Sequence, residues 1–167
     1  MSRLERLTHL ALIALCVVSI GLLLEHRFAG GATTAPAAES LIGKSLKVRG
    51  ADWAASQTHA VLFVNSHCHY CTESAPFYRR LVGALQDGRA AALAVLSTEP
   101  VEVTRKFLSD EGIAANNVYQ VTAANGLRNT PTVLIVDAHG VVRRVFVGKL
   151  DELRQETILE AVSTGRQ

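Results

Sequence analysis

His59-Ala60-Val61-Leu62-Phe63-Val64-Asn65-Ser66-His67-Cys68-His69-Tyr70-Cys71 is the stretch from which the rest of the chain is read. Residues 59–64 form a short apolar run, rich in Val and bounded by polar residues, which predicts a buried strand. Residues 70–85 carry Phe77, Leu81, Val82 and Leu85 at helical spacing, so a helix is predicted directly after the first cysteine. Cys68 then stands at a helix N-terminus, where unpaired N–H groups favour thiolate over thiol. A thiolate with a second thiol three residues away can attack a disulfide, hold it as a mixed disulfide and release it. Cys68 and Cys71 are therefore the candidate catalytic pair of a thiol–disulfide exchange.

A single CxxC also fits half of a zinc site, a haem attachment or a structural bridge. Structural zinc takes four N/S ligands, usually as two separated pairs, and the chain has no second CxxC and no HxxxH. Haem attachment needs His directly after the second Cys, where Thr72 stands. His67 and His69 flank Cys68, so a Cys/His cluster holding copper or zinc, as in a metallochaperone, is the competing reading.

The chain has 167 residues, enough for one domain and an appendage. Its 49% apolar and 19% charged content suits a packed domain with an additional apolar segment. A net charge of +2, scattered basic residues and few aromatics give nucleic-acid binding no support. Three cysteines do not make a disulfide scaffold.

The apolar excess lies in residues 7–24, interrupted only by Thr8, His9 and Ser19. Arg3 and Arg6 precede the run, and Glu25, His26 and Arg27 follow it. Its length is near the lower limit for a bilayer span. The rival is a cleaved signal peptide; Ala35-Pro36-Ala37 resembles a small-residue cleavage site but lies well beyond the run, with charges between. The expectation is an uncleaved signal-anchor over residues 1–27, a single transmembrane helix. The two arginines predict a cytoplasmic N-terminus, which leaves the domain on the periplasmic, extracytoplasmic side of the cytoplasmic (inner) membrane. Cys16, between Leu15 and Val17, reads as a small apolar residue of that helix rather than a lipidation site. Residues 28–40, rich in Ala, Gly, Thr and Pro, read as a tether, and the folded domain spans 41–167.

Within the domain, strands are predicted at 46–48, 59–64, 91–96, 118–121, 132–136 and 141–147. Helices are predicted at 70–85, with Gly88 as a stop, at 100–110 and at 151–162, with a helical turn at 123–127. Asp137-Ala138-His139-Gly140 has hairpin chemistry. This alternation predicts a mixed α/β sheet with helices on both faces. His59 is expected to cap or edge a strand, Trp53 to be a packing residue and His139 to be solvated.

Four features of this pattern resemble the thioredoxin superfamily, in its exported TlpA/ResA-like branch. They are CxxC at a strand-to-helix junction; Pro76 five residues after Cys71, where the family's helix commonly carries a kinking proline; Thr130-Pro131-Thr132 opening a strand, where the family has its cis-proline; and Asp137-x-x-Gly140 with Gly148 ahead of the final helix. The longer spacing from Cys71 to Pro131, filled by a strand and helix at roughly 91–121, resembles that branch's central βα insertion, as does Ala124-Asn125-Gly126-Leu127-Arg128-Asn129 before Thr130. The resemblance covers nearly all of 41–167. The chain departs from it in having His67 where the family has Trp, His69-Tyr70 between the cysteines, and Leu62 where many members have an acidic residue beneath the site. A peroxidase of the peroxiredoxin type shares the fold class, but its Pro-x-x-x-Thr-x-x-Cys pattern is absent before Cys68.

The resemblance implies a thioredoxin-like sheet and a redox-active Cys68–Cys71 disulfide with no further cofactor and no metal. Cys68 would attack and the more buried Cys71 would resolve. His67, His69 and Tyr70 would tune the couple and meet substrate. Thr130 and a cis Pro131 would shape the groove for an extended substrate segment. It further implies protein thiols as substrates, reduction more often than oxidation, and a polytopic membrane thiol carrier as electron donor.

Overall fold

The computed structural model describes residues 39–87, 91–122 and 126–164, together with Ile13. The predicted membrane segment and the tether as far as residue 38 lie outside the described residues, Ile13 apart. Among the described residues no helix is long and apolar enough to cross a membrane. From residue 39 onward they belong to one compact unit.

Strand β1 (Thr58–Phe63) leads into helices α1 (His69–Glu73) and α2 (Ala75–Asp87). Strand β2 (Ala91–Ser97), helix α3 (Val101–Asp110) and strand β3 (Val118–Gln120) follow. Strands β4 (Thr132–Asp137) and β5 (Val142–Val147) precede helix α4 (Glu152–Thr164). The five-stranded sheet runs β3-β2-β1-β4-β5. The β1–β2 and β2–β3 pairs are parallel; β1–β4 and β4–β5 are antiparallel. This is the expected mixed, thioredoxin-like sheet flanked by helices, with the stretch 91–121 present as β2, α3 and β3.

Strand β1 holds the centre because all six of its residues are buried. Side chains alternate across a strand, so both faces must be covered. Ala60, Leu62 and Val64 join Phe77, Leu81, Phe107, Leu108, Ile158 and Val162 in one cluster. Val61 and Phe63 join Leu46, Leu96, Leu134 and Val136 in the other. Each fully buried Val or Leu contributes about 1.5–3 kcal/mol relative to exposure.

Several expectations are corrected. Helices α2, α3 and α4 all feed the first cluster, whereas among the described residues the second face is covered by short 3-10 turns at Glu39–Leu41 and Trp53–Ala55, by Leu46, and by Val121 and Leu127. Helices on both faces were expected because sequence periodicity does not say which face a crossover takes. The helix expected at 70–85 is interrupted at Ser74, next to the kinking proline that the resemblance implies at Pro76. Pro76 has no N–H for the Thr72 carbonyl, so α1 closes on Ser74, whose N–H reaches Tyr70 O at 3.1 Å and Cys71 O at 3.2 Å, and α2 begins with Pro76 in its first turn. The strand expected at 46–48 is not formed; Ser45 makes an isolated bridge to Val141 and the Leu46 N–H donates to Gly140 O at 2.7 Å. Gly88 and residues 123–125 of the expected helical turn lie outside the described residues.

His59 lies within β1, opposite Ala92 and Val136, rather than at an edge. Its Nε2 is 2.7 Å from Trp53 O and its ring meets the Trp53 ring edge-on, 5.1 Å between centroids. Trp53 is the packing residue expected, its Nε1 donating to Leu46 O at 3.2 Å. The hairpin Gly140 has φ +75°, and a Cβ there would stand 2.6 Å from Trp53 Cδ1, so both backbone and space require glycine. His139 is exposed, as expected.

Asp137 closes this hairpin from a position 2% exposed. Its Oδ1 accepts the N–H groups of His139 and Val141 at 2.9 Å each, and its Oδ2 lies 2.6 Å from Arg143 Nη2. Burial opposes ionisation, but the hydrogen bonds from Val141 and His139 and the Arg143 guanidinium prevail and hold the carboxyl below the usual aspartate range. A depressed folded-state value contributes stability that is complete above the unfolded aspartate pKa and is lost as pH falls through the folded one. Asp137→Ala is expected to destabilise the domain by about 2–3 kcal/mol in urea titrations at neutral pH, and to flatten the fall in wild-type stability below about pH 4. Equal acid sensitivity in both proteins would show that Asp137 does not carry it.

Candidate active site

The site is assembled at the end of β1 by strand register. The Val64 N–H donates to Leu96 O at 3.0 Å, continuing the parallel pairing one residue past the strand. The chain then turns through Asn65, Ser66 and His67: the His67 N–H donates to Asn65 Oδ1 at 2.9 Å and the Cys68 N–H to Asn65 O at 3.1 Å. Cys68 is the N-cap of α1, with φ −87° and ψ 107°, and its Sγ accepts the Cys71 N–H at 3.3 Å. A sulfur thus takes the place usually filled by a capping oxygen, at the end of the helix that favours negative charge.

The two cysteines differ in depth. Cys68 is partly exposed and Cys71 is buried; both are free thiols. Burial pushes the Cys71 thiol up to about 12, reinforced by the hydrogen bond and charge of Cys68, while hydrogen bonds from the Asn65 main chain and the Thr130 side chain act in the opposite sense. Beneath them Tyr78 is 1% exposed. Burial, then the charge of Cys71, raises its phenol above the ordinary value.

Antiparallel pairing sets Thr132 opposite Phe63, so Thr130 and Pro131 run past the end of β1 where the cysteine turn begins. The Thr130–Pro131 bond is cis. Pro131 is buried and its carbonyl accepts the Gly148 N–H at 2.8 Å. Thr130 and Cys71, distant in sequence, are thereby brought into contact.

His67, His69 and Tyr70 turn outward. The His67 side chain is 88% exposed, and its Nδ1 lies 3.3 Å from Glu99 Oε1. The His69 side chain is 78% exposed, with Nε2 3.1 Å from Glu73 Oε1. Tyr70 leans on His69 with centroids 5.7 Å apart. Glu73 is held below the usual carboxylate range chiefly by Lys149 Nζ at 2.9 Å, with His69 assisting. Among the described residues no three His, Cys, Asp or Glu side chains converge to hold a metal ion. The two imidazoles lie against different carboxylates, His67 against Glu99 and His69 against Glu73.

Glu99 is a site residue that the sequence pattern does not single out. Leu62 leaves the position beneath the site apolar and 0% exposed; the acidic residues stand at the rim instead. Ser97-Thr98-Glu99-Pro100, just past the end of a strand parallel to the one that carries CxxC, is the local signal that could have located Glu99.

The difference in depth has a direct readout. In the reduced native protein, iodoacetamide at about pH 8 is expected to modify Cys68 and leave Cys71 unmodified until denaturant is added, as peptide mass mapping will show. Comparable labelling of both in the native state would refute the assignment of depth.

The Redoxin family profile matches residues 32–162. The thiol-disulfide oxidoreductase ResA of Halalkalibacterium halodurans is 24% identical over 128 residues, covering 74% of this chain and 71% of that protein. Among solved structures, a thiol-disulfide isomerase from Corynebacterium glutamicum superposes with a TM-score of 0.55 at 16% identity, covering 74% of this chain and 92% of that one. StoA from Bacillus subtilis gives 0.51 at 15% identity, covering 63% and 81%. With a CxxC pair capping a helix beside a cis-proline on this sheet, the chain belongs to the Redoxin family, among the thioredoxin-like thiol–disulfide oxidoreductases.

Proposed function

We propose that this protein is a membrane-anchored, extracytoplasmic oxidoreductase that reduces disulfides in other proteins through Cys68 and Cys71. The observation that carries the reading is the unequal pair: an accessible sulfur capping a helix, three residues before a buried thiol pushed up to about 12. In the reductive direction Cys68, as thiolate, attacks one sulfur of a substrate disulfide. The S–S bond breaks and the other substrate sulfur leaves as a thiolate that takes up a proton. Cys71 then loses its proton and attacks Cys68 Sγ. The mixed disulfide breaks, the second substrate thiol departs, and the chain is left with a Cys68–Cys71 disulfide. Two electrons have passed to the substrate. A dithiol must return them, and we assign that role to a polytopic membrane thiol carrier, since a chain with one N-terminal span cannot conduct electrons across a bilayer.

Burial of Cys71 supports the order of events, because a thiol that keeps its proton does not compete for the incoming disulfide. His67, His69 and Tyr70 form the exposed rim that a substrate meets first. Thr130 and Pro131 lie beside Cys71 just ahead of β4, an inner strand, and an extended substrate segment laid over the cysteines would pair with the Thr130 backbone, which precedes the β4 ladder. The export assignment rests on the apolar run at residues 7–24 and the arginines before it.

Cys71→Ser is expected to accumulate mixed disulfides with client proteins through Cys68, resolved on a diagonal gel by dithiothreitol, whereas Cys68→Ser traps none. The equilibrium constant of the wild-type couple with glutathione decides direction. A potential near the roughly −270 mV of thioredoxin supports reduction; one near the roughly −120 mV of DsbA reverses it to oxidation.

A further inference from the structure

Ser66 and His67 in the cysteine turn are tied to a distant segment through Glu99, which lies on neither β1 nor α1 but two residues beyond the end of β2. Its side chain is 13% exposed. Oε2 accepts the Ser66 N–H at 2.7 Å, and Oε1 accepts the Ser66 hydroxyl at 2.6 Å. His67 Nδ1 lies 3.3 Å from the same Oε1. The carboxylate is braced from its own side: the Glu99 N–H donates to Ser97 Oγ at 3.1 Å, and that hydroxyl reaches Oε2 at 3.4 Å. A backbone N–H can only donate, so the partner must be an acceptor, and hydrogen bonds to an ionised acceptor are the stronger kind.

Apart from the Thr130 side chain on Cys71, at the far end of the motif, the other hydrogen bonds that shape the turn are local. His67 N–H to Asn65 Oδ1, Cys68 N–H to Asn65 O and Cys71 N–H to Cys68 Sγ each join residues two or three apart. They shape the turn but cannot orient it against the sheet. The Glu99–Ser66 pair spans 33 residues of sequence and can. We propose that Glu99 is the positioning residue of the redox turn: through Ser66 it holds Cys68 Sγ at the start of α1, and so sets both the rate at which Cys68 attacks and the balance of the Cys68–Cys71 couple.

The inference rests on reading Cys68 as the attacking sulfur. An opposing effect exists, because a carboxylate near a thiolate disfavours its charge. Here the carboxylate is met by the Ser66 N–H, the Ser66 hydroxyl and the His67 ring, and positioning outweighs repulsion. The two effects separate by substitution. Glu99→Ala removes both the anchor and the charge. Glu99→Gln removes the charge but keeps an oxygen for the Ser66 N–H and places an amide against the Ser66 hydroxyl, which can accept.

In the reduced full-length protein, Glu99→Ala is expected to slow iodoacetamide alkylation of Cys68 about tenfold and to shift the equilibrium constant with glutathione about tenfold toward the disulfide. Glu99→Gln is expected to stay within about twofold of wild type on both, and Ser66→Ala, which keeps the N–H bond, to slow alkylation about threefold. A fold-supporting role alone would not move the equilibrium constant while sparing the Gln variant. An alkylation rate for Glu99→Ala within about twofold of wild type overturns the proposal, and so does faster alkylation in both Glu99 variants, which would mean that repulsion governs. Should Glu99→Ala not fold, the Ser66→Ala rate decides on the same scale. Wild-type protein inert toward protein disulfides would remove the oxidoreductase reading while leaving the alkylation comparison fully readable.

Discussion

The site depends on β1 being hydrogen-bonded along both edges while its side chains are buried on both faces. A strand so enclosed cannot shift register without unburying its alternate set of side chains. Where β1 ends is therefore rigidly defined, and three segments converge there. The cysteine turn continues β1 itself. The end of β2 arrives alongside because the pairing is parallel, bringing Ser97 and Glu99. The start of β4 arrives from the other side because that pairing is antiparallel, bringing Thr130 and Pro131. Functional groups placed just outside the carboxyl ends of parallel strands have a scaffold that does not yield when a partner docks.

Depth distinguishes two chemically identical side chains. Cys68 ends the turn and keeps contact with solvent. Cys71, three residues on, faces inward among Leu62, Ala75, Phe77 and Tyr78 in the same cluster. Desolvation is the largest influence on the Cys71 thiol, so the two thiols differ by how deep each stands on the same face of the helix, Cys68 at its exposed start and Cys71 one turn further in. The carboxylates follow another logic. The position beneath the sulfurs is apolar, and the acids stand at the rim, Glu99 toward the turn and Glu73 toward Lys149 and His69. Glu73 and Lys149 join α1 to the segment after β5, whose Gly148 N–H holds the Pro131 carbonyl.

Much of this was legible in residue order. A Val-rich run before CxxC, Pro76 shortly after it, Thr130-Pro131-Thr132 before a strand and Asp137-x-x-Gly140 between strands each act over a few residues, so periodicity and turn chemistry expose them. The structure departs from expectation where a local pattern permits more than one outcome. Residues 46–48 have strand-like composition, but they meet the hairpin only through the Ser45 bridge and the Leu46 N–H, so no ladder forms. His59 resembles a strand-edge residue, yet the Trp53 carbonyl gives its ring a partner inside the sheet.

Residue order was sufficient for the strand–CxxC–helix unit and the hairpin, because each is written in neighbouring residues and short-range sterics, whereas the place of Pro131 beside the cysteines was implied by the family resemblance alone. Residue order could not show that Glu99 meets Ser66, that Thr130 meets Cys71, or that the helices share one face of the sheet. Those contacts join residues tens of positions apart, and their existence follows from strand order and register, which are set by burial of the whole sheet rather than by any local segment.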